Sequence, residues 1–128
     1  MQRFDVATTR QTEMVSITAQ VQEAVTALGR RDGVCHVFVP HTTAAVTINE
    51  SADPMVAHDV LHILDRVIPF TDPGYRHLEG NSAAHLKAML VGSSEALLVR
   101  DGRLVLGTWQ GVFFCEFDGP RRRHVLVG

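Results

Sequence analysis

The sequence predicts an α+β domain with helices on one face of a mainly antiparallel sheet. Two patterns carry that expectation. Apolar residues recur at helical spacing between recognisable caps in the first two thirds of the chain, and short β-former runs separated by turn signals fill the last third. The 128 residues lie within the roughly 100–200 usual for one domain, so residues 1–128 are read as a single unit.

A first strand is expected near Arg3–Thr8. Val21, Ala24, Val25 and Leu28 then follow the i, i+3, i+4, i+7 rule, giving a helix from about Thr18 that Gly29 terminates. After the Arg31-Asp32-Gly33 turn, Val34–Val39 is a dense β-former run stopped by Pro40, and Ala44–Ile48 is a second. Asp53-Pro54 is a helix start, with aspartate as cap and proline in the first turn. Val56, Val60, Ile63, Leu64 and Val67 are its expected buried stripe, and Pro69 its end. The loop from Phe70 to Gly80 is long enough to be functional. Ser82 is read as the cap of a third helix, Ala83–Val91, closed by Gly92. Glu95–Arg100, Arg103–Leu106, Val112–Phe117 and Arg122–Val127, joined through Asp101-Gly102 and Gly119-Pro120, read as an antiparallel meander.

Hydrophobic residues at 45% and charged residues at 20% are those of a folded globular chain. A net charge of −2, with basic residues scattered apart from Arg121–Arg123, lacks the positive footprint of a nucleic-acid binder. Cys35 and Cys115 sit inside apolar runs, as small buried hydrophobes do. No leader pattern opens the chain and no apolar run approaches the roughly 18 residues of a membrane span. A cytoplasmic protein with neither membrane nor nucleic-acid partner is expected.

The chemistry is expected among the seven histidines. His58 and His62 mimic a zinc-protease helix, but Asp59 replaces the required glutamate and both lie opposite the apolar stripe, toward solvent. His36 and His124 sit within strands and read as structural or surface residues. His41, His77 and His85 lie at element ends, where function concentrates. His41-Thr42-Thr43 follows a strand, and Asn49-Glu50-Ser51-Ala52-Asp53 precedes a helix, so hydroxyls, an amide and carboxylates converge near free backbone N–H groups. That suits anion binding, metal binding or plain turn chemistry. Tyr75-Arg76-His77-Leu78-Glu79-Gly80-Asn81, with His85, is compatible with a catalytic metal site or with loop and capping roles. Gly92-Ser93-Ser94 and Gly107-Thr108-Trp109-Gln110-Gly111 suit close approach by a ligand or subunit, or two tight turns with Trp109 as a core anchor.

In order along nearly the whole chain, His41–Glu50, Tyr75-Arg76-His77, Glu79-Gly80-Asn81, His85-Leu86-Lys87, Gly92-Ser93-Ser94, Leu106–Gly111 and Glu116–Arg121 resemble the YjbQ family, also called the secondary thiamine-phosphate synthase family (UPF0047). The resemblance implies a bulged antiparallel sheet, a homotrimer and a site near a subunit boundary. It makes His41, His77 and His85 the metal or acid–base histidines, with Glu79 as the catalytic carboxylate beside them. Thr42, Asn49, Glu50, Asn81, Ser93, Thr108 and Gln110 become ligand-binding or orienting residues. The activity implied joins hydroxymethylpyrimidine diphosphate to a thiazole phosphate with loss of pyrophosphate, assisted by a divalent metal, Zn or Mg. The histidines suit zinc, whereas diphosphate enzymes favour oxygen-rich magnesium sites, so that activity can be secondary to another on a small phosphorylated substrate. The alternative is a non-catalytic trimer that binds a metabolite or anion.

Overall fold

The computed structural model describes residues 1–128 and has the α+β composition the sequence predicts. In chain order the elements are β1 (Gln2–Ala7), β2 (Glu13–Ser16), α1 (Thr18–Leu28), β3 (Gly33–Phe38), β4 (Ala44–Glu50), α2 (Pro54–Val67), α3 (Ser82–Val91), β5 (Ser94–Arg100), β6 (Arg103–Leu104), β7 (Gln110–Glu116) and β8 (Arg122–Val127). No helix is long and apolar enough to cross a membrane.

The strands form two antiparallel sheets, one of order β1-β8-β3-β5-β6 and one of order β2-β7-β4. This corrects the expected meander. Only β5 and β6 make a local hairpin, while β7 leaves for the second sheet and β8 returns to the first, between β1 and β3. The physical reason lies in β7, which is buried on both faces. Val112 and Phe114 enter the main core, and Phe113 and Cys115 point into a second cluster on the other side. A continuous apolar run is what a doubly covered strand requires, and periodicity alone cannot tell it from an ordinary meander strand.

The main core lies between the sheets and α1, which contributes Val21, Ala24 and Val25. Gly29 closes α1 in the left-handed conformation at φ 68°, as its position after the last apolar residue predicts. The second cluster, Ala45, Ala84, Ala88, Phe113, Cys115 and Phe117, lies where α3 crosses the outer face of the three-stranded sheet. The helices therefore pack on both sides of that sheet rather than on one. Both cysteines are free and buried, and burial pushes the Cys115 thiol up to about 12.

Three local expectations need correction. Asp53 caps α2 through the Met55 N–H, as predicted, but no residue of α2 is buried. Ile63 is 51% and Val67 66% exposed, and only Leu61 and Leu64 pack against the second cluster. The helix leans on the β2 edge and turns much of its apolar stripe away from the chain's own core. Asn81, not Ser82, is the N-cap residue of α3, and it makes no side-chain cap bond there. Trp109 is 62% exposed and anchors no core.

Candidate functional site

Four chain segments meet at one end of the β4–β7 pair. The β3–β4 connection carries His41, Thr42 and Thr43, and the end of the long loop carries His77, Glu79 and Asn81. The first turn of α3 carries His85, and the β7–β8 turn carries Asp118 and Arg121, with Arg123 just inside β8. Together they line a cavity of about 410 Å³ in which only Pro40 lacks a polar side chain. Six of the residues singled out in the sequence, His41, Thr42, His77, Glu79, Asn81 and His85, are thus neighbours in space. Ser93 joins them from the side, sharing an adjacent cavity of about 320 Å³ with His41, Thr42 and His85.

The floor of this cavity is set by a buried ion pair. Glu116 is 0% and Arg123 6% exposed. One Glu116 oxygen accepts from Thr8 Oγ1 at 2.8 Å and Arg123 Nε at 2.9 Å. The other accepts from Arg123 Nη2 at 2.5 Å and from the Phe117 and Asp118 N–H groups, each at 3.1 Å. Burial alone would raise the carboxyl's pKa, but the bonds from Arg123, Thr8 and Asp118 and the Arg123 charge outweigh it, holding it below the usual carboxylate range. Arg123 Nη2 also donates to Thr43 Oγ1 at 2.7 Å, fixing the His41–Thr43 segment to the same pair. Gly119 is required here, since a Cβ would come within 2.2 Å of the Arg10 carbonyl and 2.8 Å of Glu116 Cγ.

His41 is held by its Nε2, which lies 3.1 Å from both the main-chain N and O of His124. A deprotonated Nε2 accepts from that N–H, and a protonated one donates to that carbonyl. Burial and then the Arg123 charge lower the His41 pKa, so the neutral ring is favoured. His77 and His85 meet edge-to-face with centroids 5.2 Å apart, and His77 Nε2 lies 3.9 Å from Glu79. Asn81 donates to Asp118 at 2.9 Å, while its buried Oδ1 has no partner. Arg121 pairs with Asp118 at 3.0 Å.

Imidazoles are the right donor type for a zinc-like ion. Their placement does not fit one, because no three His, Cys, Asp or Glu side chains of the chain converge on a common point and His41 Nε2 is committed to the main chain. What the arrangement offers directly is proton transfer by three imidazoles and N–H and O–H donors for an anion.

The remaining predicted residues lie elsewhere. Ala44 pairs with Glu116 at the cavity end of β4–β7, whereas Asn49 pairs with Gly111 and Glu50 with Gln110 at the opposite end, roughly 20 Å away along six strand residues. There Gln110 accepts from the Gly107 N–H and Asn49 from the Glu50 N–H. Thr108 is exposed beside them. His58 and His62 are exposed as expected and stack at 6.3 Å on α2, outside the cavity.

Sequence reasoning placed Thr43 in a hydroxyl cluster and Glu116, Asp118 and Arg121 in a family string without giving them a role, it missed Arg123, and it set aside His124, which holds His41. A usable signal existed for Glu116: a carboxylate inside the apolar run Val112–Phe117 must find a buried partner. Removing that charge tests the network. Glu116→Gln should cost about 3–5 kcal/mol, the usual penalty for stranding a buried charge, measured by urea unfolding at pH 7. The folded Glu116 pKa is depressed, so its stabilisation is complete above the unfolded carboxylate pKa and is lost as pH falls through the folded value. The gap between parent and variant should therefore shrink in acid.

The comparisons with known proteins agree with the fold. Residues 2–128 match the family model described as UPF0047 protein YjbQ-like. The chain is 47% identical over 127 residues to the UPF0047 protein YugU of Bacillus subtilis, covering 99% of this chain and 96% of that one. It is 47% identical over 125 residues to a UPF0047 protein of Methanocaldococcus jannaschii, covering 98% and 90%. An uncharacterized YjbQ/UPF0047 protein of Clostridium acetobutylicum superposes with a TM-score of 0.97 at 48% identity, over 100% of this chain and 98% of that chain. A YbjQ-like protein of unknown function from Sulfolobus solfataricus gives a TM-score of 0.93 at 38% identity, over 98% and 92%. With the fold, the length and the ordered strings all in agreement, this chain belongs to the YjbQ-like UPF0047 family.

Proposed function

We propose that the 410 Å³ cavity binds the phosphoryl part of a small phosphorylated metabolite and that His41, His77 and His85 move protons during its reaction. One observation carries this reading: three histidines, two arginines, two threonines and an asparagine line a single cavity with no apolar wall except Pro40. Arg121 and the Thr42 and Thr43 hydroxyls supply donors for phosphoryl oxygens. Glu79 orients His77, and Asn81 and Ser93 complete the ligand set. Arg121 is paired with Asp118 and Arg123 with the buried Glu116, so a phosphoryl group would be held by directed N–H and O–H donors rather than by a surplus of positive charge.

A secondary thiamine-phosphate synthase reaction is consistent with this arrangement. It breaks a carbon–oxygen bond of hydroxymethylpyrimidine diphosphate, forms a carbon–nitrogen bond to the thiazole phosphate and releases pyrophosphate. The leaving pyrophosphate takes up the charge-assisted donors. The divalent ion that the resemblance implies, Zn or Mg, finds no three-ligand site within one chain, and elemental analysis of the purified protein beside His77→Ala/His85→Ala tests for it. Pure ligand binding is distinguished by the absence of turnover.

Calorimetry with inorganic phosphate is the direct test. Arg121→Ala should lower the phosphate affinity about tenfold, the worth of a charge-assisted contact. Phosphate affinity independent of Arg121 would overturn the reading.

The ligand-binding set is split between the two ends of β4–β7, which a homotrimer reconciles. Head-to-tail contacts close into rings, and such a ring would set Asn49, Glu50, Thr108 and Gln110 of one copy against the histidine cavity of the next. Exposed Trp109, Met89 and Leu90 are the apolar material for that contact. Native mass spectrometry should then give three times the chain mass, and Thr108→Ala should weaken phosphate binding although Thr108 is remote from its own cavity. A monomer, or an unaffected Thr108→Ala variant, contradicts this assembly.

A further inference from the structure

His77 and His85 line not one cavity but two. On their far side lies a second space of about 430 Å³, walled by Tyr75, Arg76, Ser82 and Leu86. The two compartments differ in kind: the first has no apolar side chain but Pro40, whereas the second offers an aromatic ring and a leucine that is 38% exposed. We infer that the second compartment is a ring subsite, which takes the aromatic or heteroaromatic part of a ligand whose phosphoryl group occupies the first. This rests on the phosphate reading above and adds to it where the organic part lies and which residues select it.

The ring wall is built rather than incidental. Asp72 accepts from the Gly74 N–H at 2.7 Å through its side chain and from the Tyr75 N–H at 3.1 Å through its carbonyl. That turn presents Tyr75 at the compartment. The Tyr75 hydroxyl donates to the Pro69 carbonyl at 2.7 Å, so the phenol's polar end is satisfied and its ring orientation is fixed. Arg76 makes no ion pair within the chain, in contrast to Arg121 and Arg123. A fixed aromatic ring and a free planar guanidinium both favour a flat π-system over a flexible alkyl chain. The edge-to-face imidazoles stand between the two compartments, so a bond linking ring and phosphoryl group would cross beside the groups able to protonate a leaving oxygen.

The test compares inorganic phosphate, propyl phosphate and phenyl phosphate by calorimetry on the full-length protein, its folding checked by thermal melting. Phenyl phosphate should bind about tenfold tighter than either of the others. Tyr75→Ala and, independently, Leu86→Ala should erase that advantage while leaving inorganic phosphate affinity unchanged. If phenyl and propyl phosphate bind alike, or if both variants weaken inorganic phosphate as much as phenyl phosphate, the ring subsite is overturned while the phosphate reading stands. If inorganic phosphate does not bind at all, the phosphate reading falls, and this inference with it.

Discussion

The Glu116–Arg123 pair is the constraint on which the site depends. Its carboxylate accepts from Thr8 after β1, from Arg123 in β8 and from the N–H groups that begin the β7–β8 turn, while Arg123 reaches across to Thr43. Taking two charges out of water costs several kcal/mol per ion and is tolerated only when the partners are complete. Here they are complete because the two sheets abut at this point: Glu116 ends β7 in one sheet and Arg123 lies in β8 of the other. The contact that joins the sheets therefore also shapes the cavity.

That coupling explains why the polar loops gather where they do. β7 is covered on both faces, by the main core and by α3, so its end is held rigidly. The His41–Thr43 segment is tied to it through Arg123 and to β8 through His124. α3 brings His85 beside His77 and buries Lys87, whose amine pairs with Asp65 of α2. Connections anchored to rigid strand ends carry most of the donors and the long loop carries the second histidine, the usual division of labour between scaffold and functional segment.

Much of this was legible in the sequence. Gly29 after an apolar stripe, Asp53-Pro54 and the β-former runs specified real elements, because those signals are local. The element ends carrying His41, His77 and His85 also turned out to face one space. What could not be read was non-local. Whether Val112–Phe117 belongs to a meander or to a strand buried on both sides depends on α3, far away in the chain. The α2 stripe looked like a core face, yet its helix leans on a sheet edge and leaves Ile63 and Val67 open. His124 read as structural or surface and Arg123 as one of three adjacent arginines, since nothing local reveals that His41 and Glu116 are their partners. Asn49, Glu50, Thr108 and Gln110 had the right chemistry, but strand length separates them from the histidines within one chain.

The central claim is that His41, His77 and His85 share one anion site that excludes the other histidines. Following the imidazole signals of all seven by NMR, in the parent protein at constant pH with and without inorganic phosphate, tests it most directly. The account predicts saturable shifts at His41, His77 and His85 with a common affinity, and none at His58 and His62 on α2. Equal shifts on α2, or an unmoved cavity trio, would contradict it.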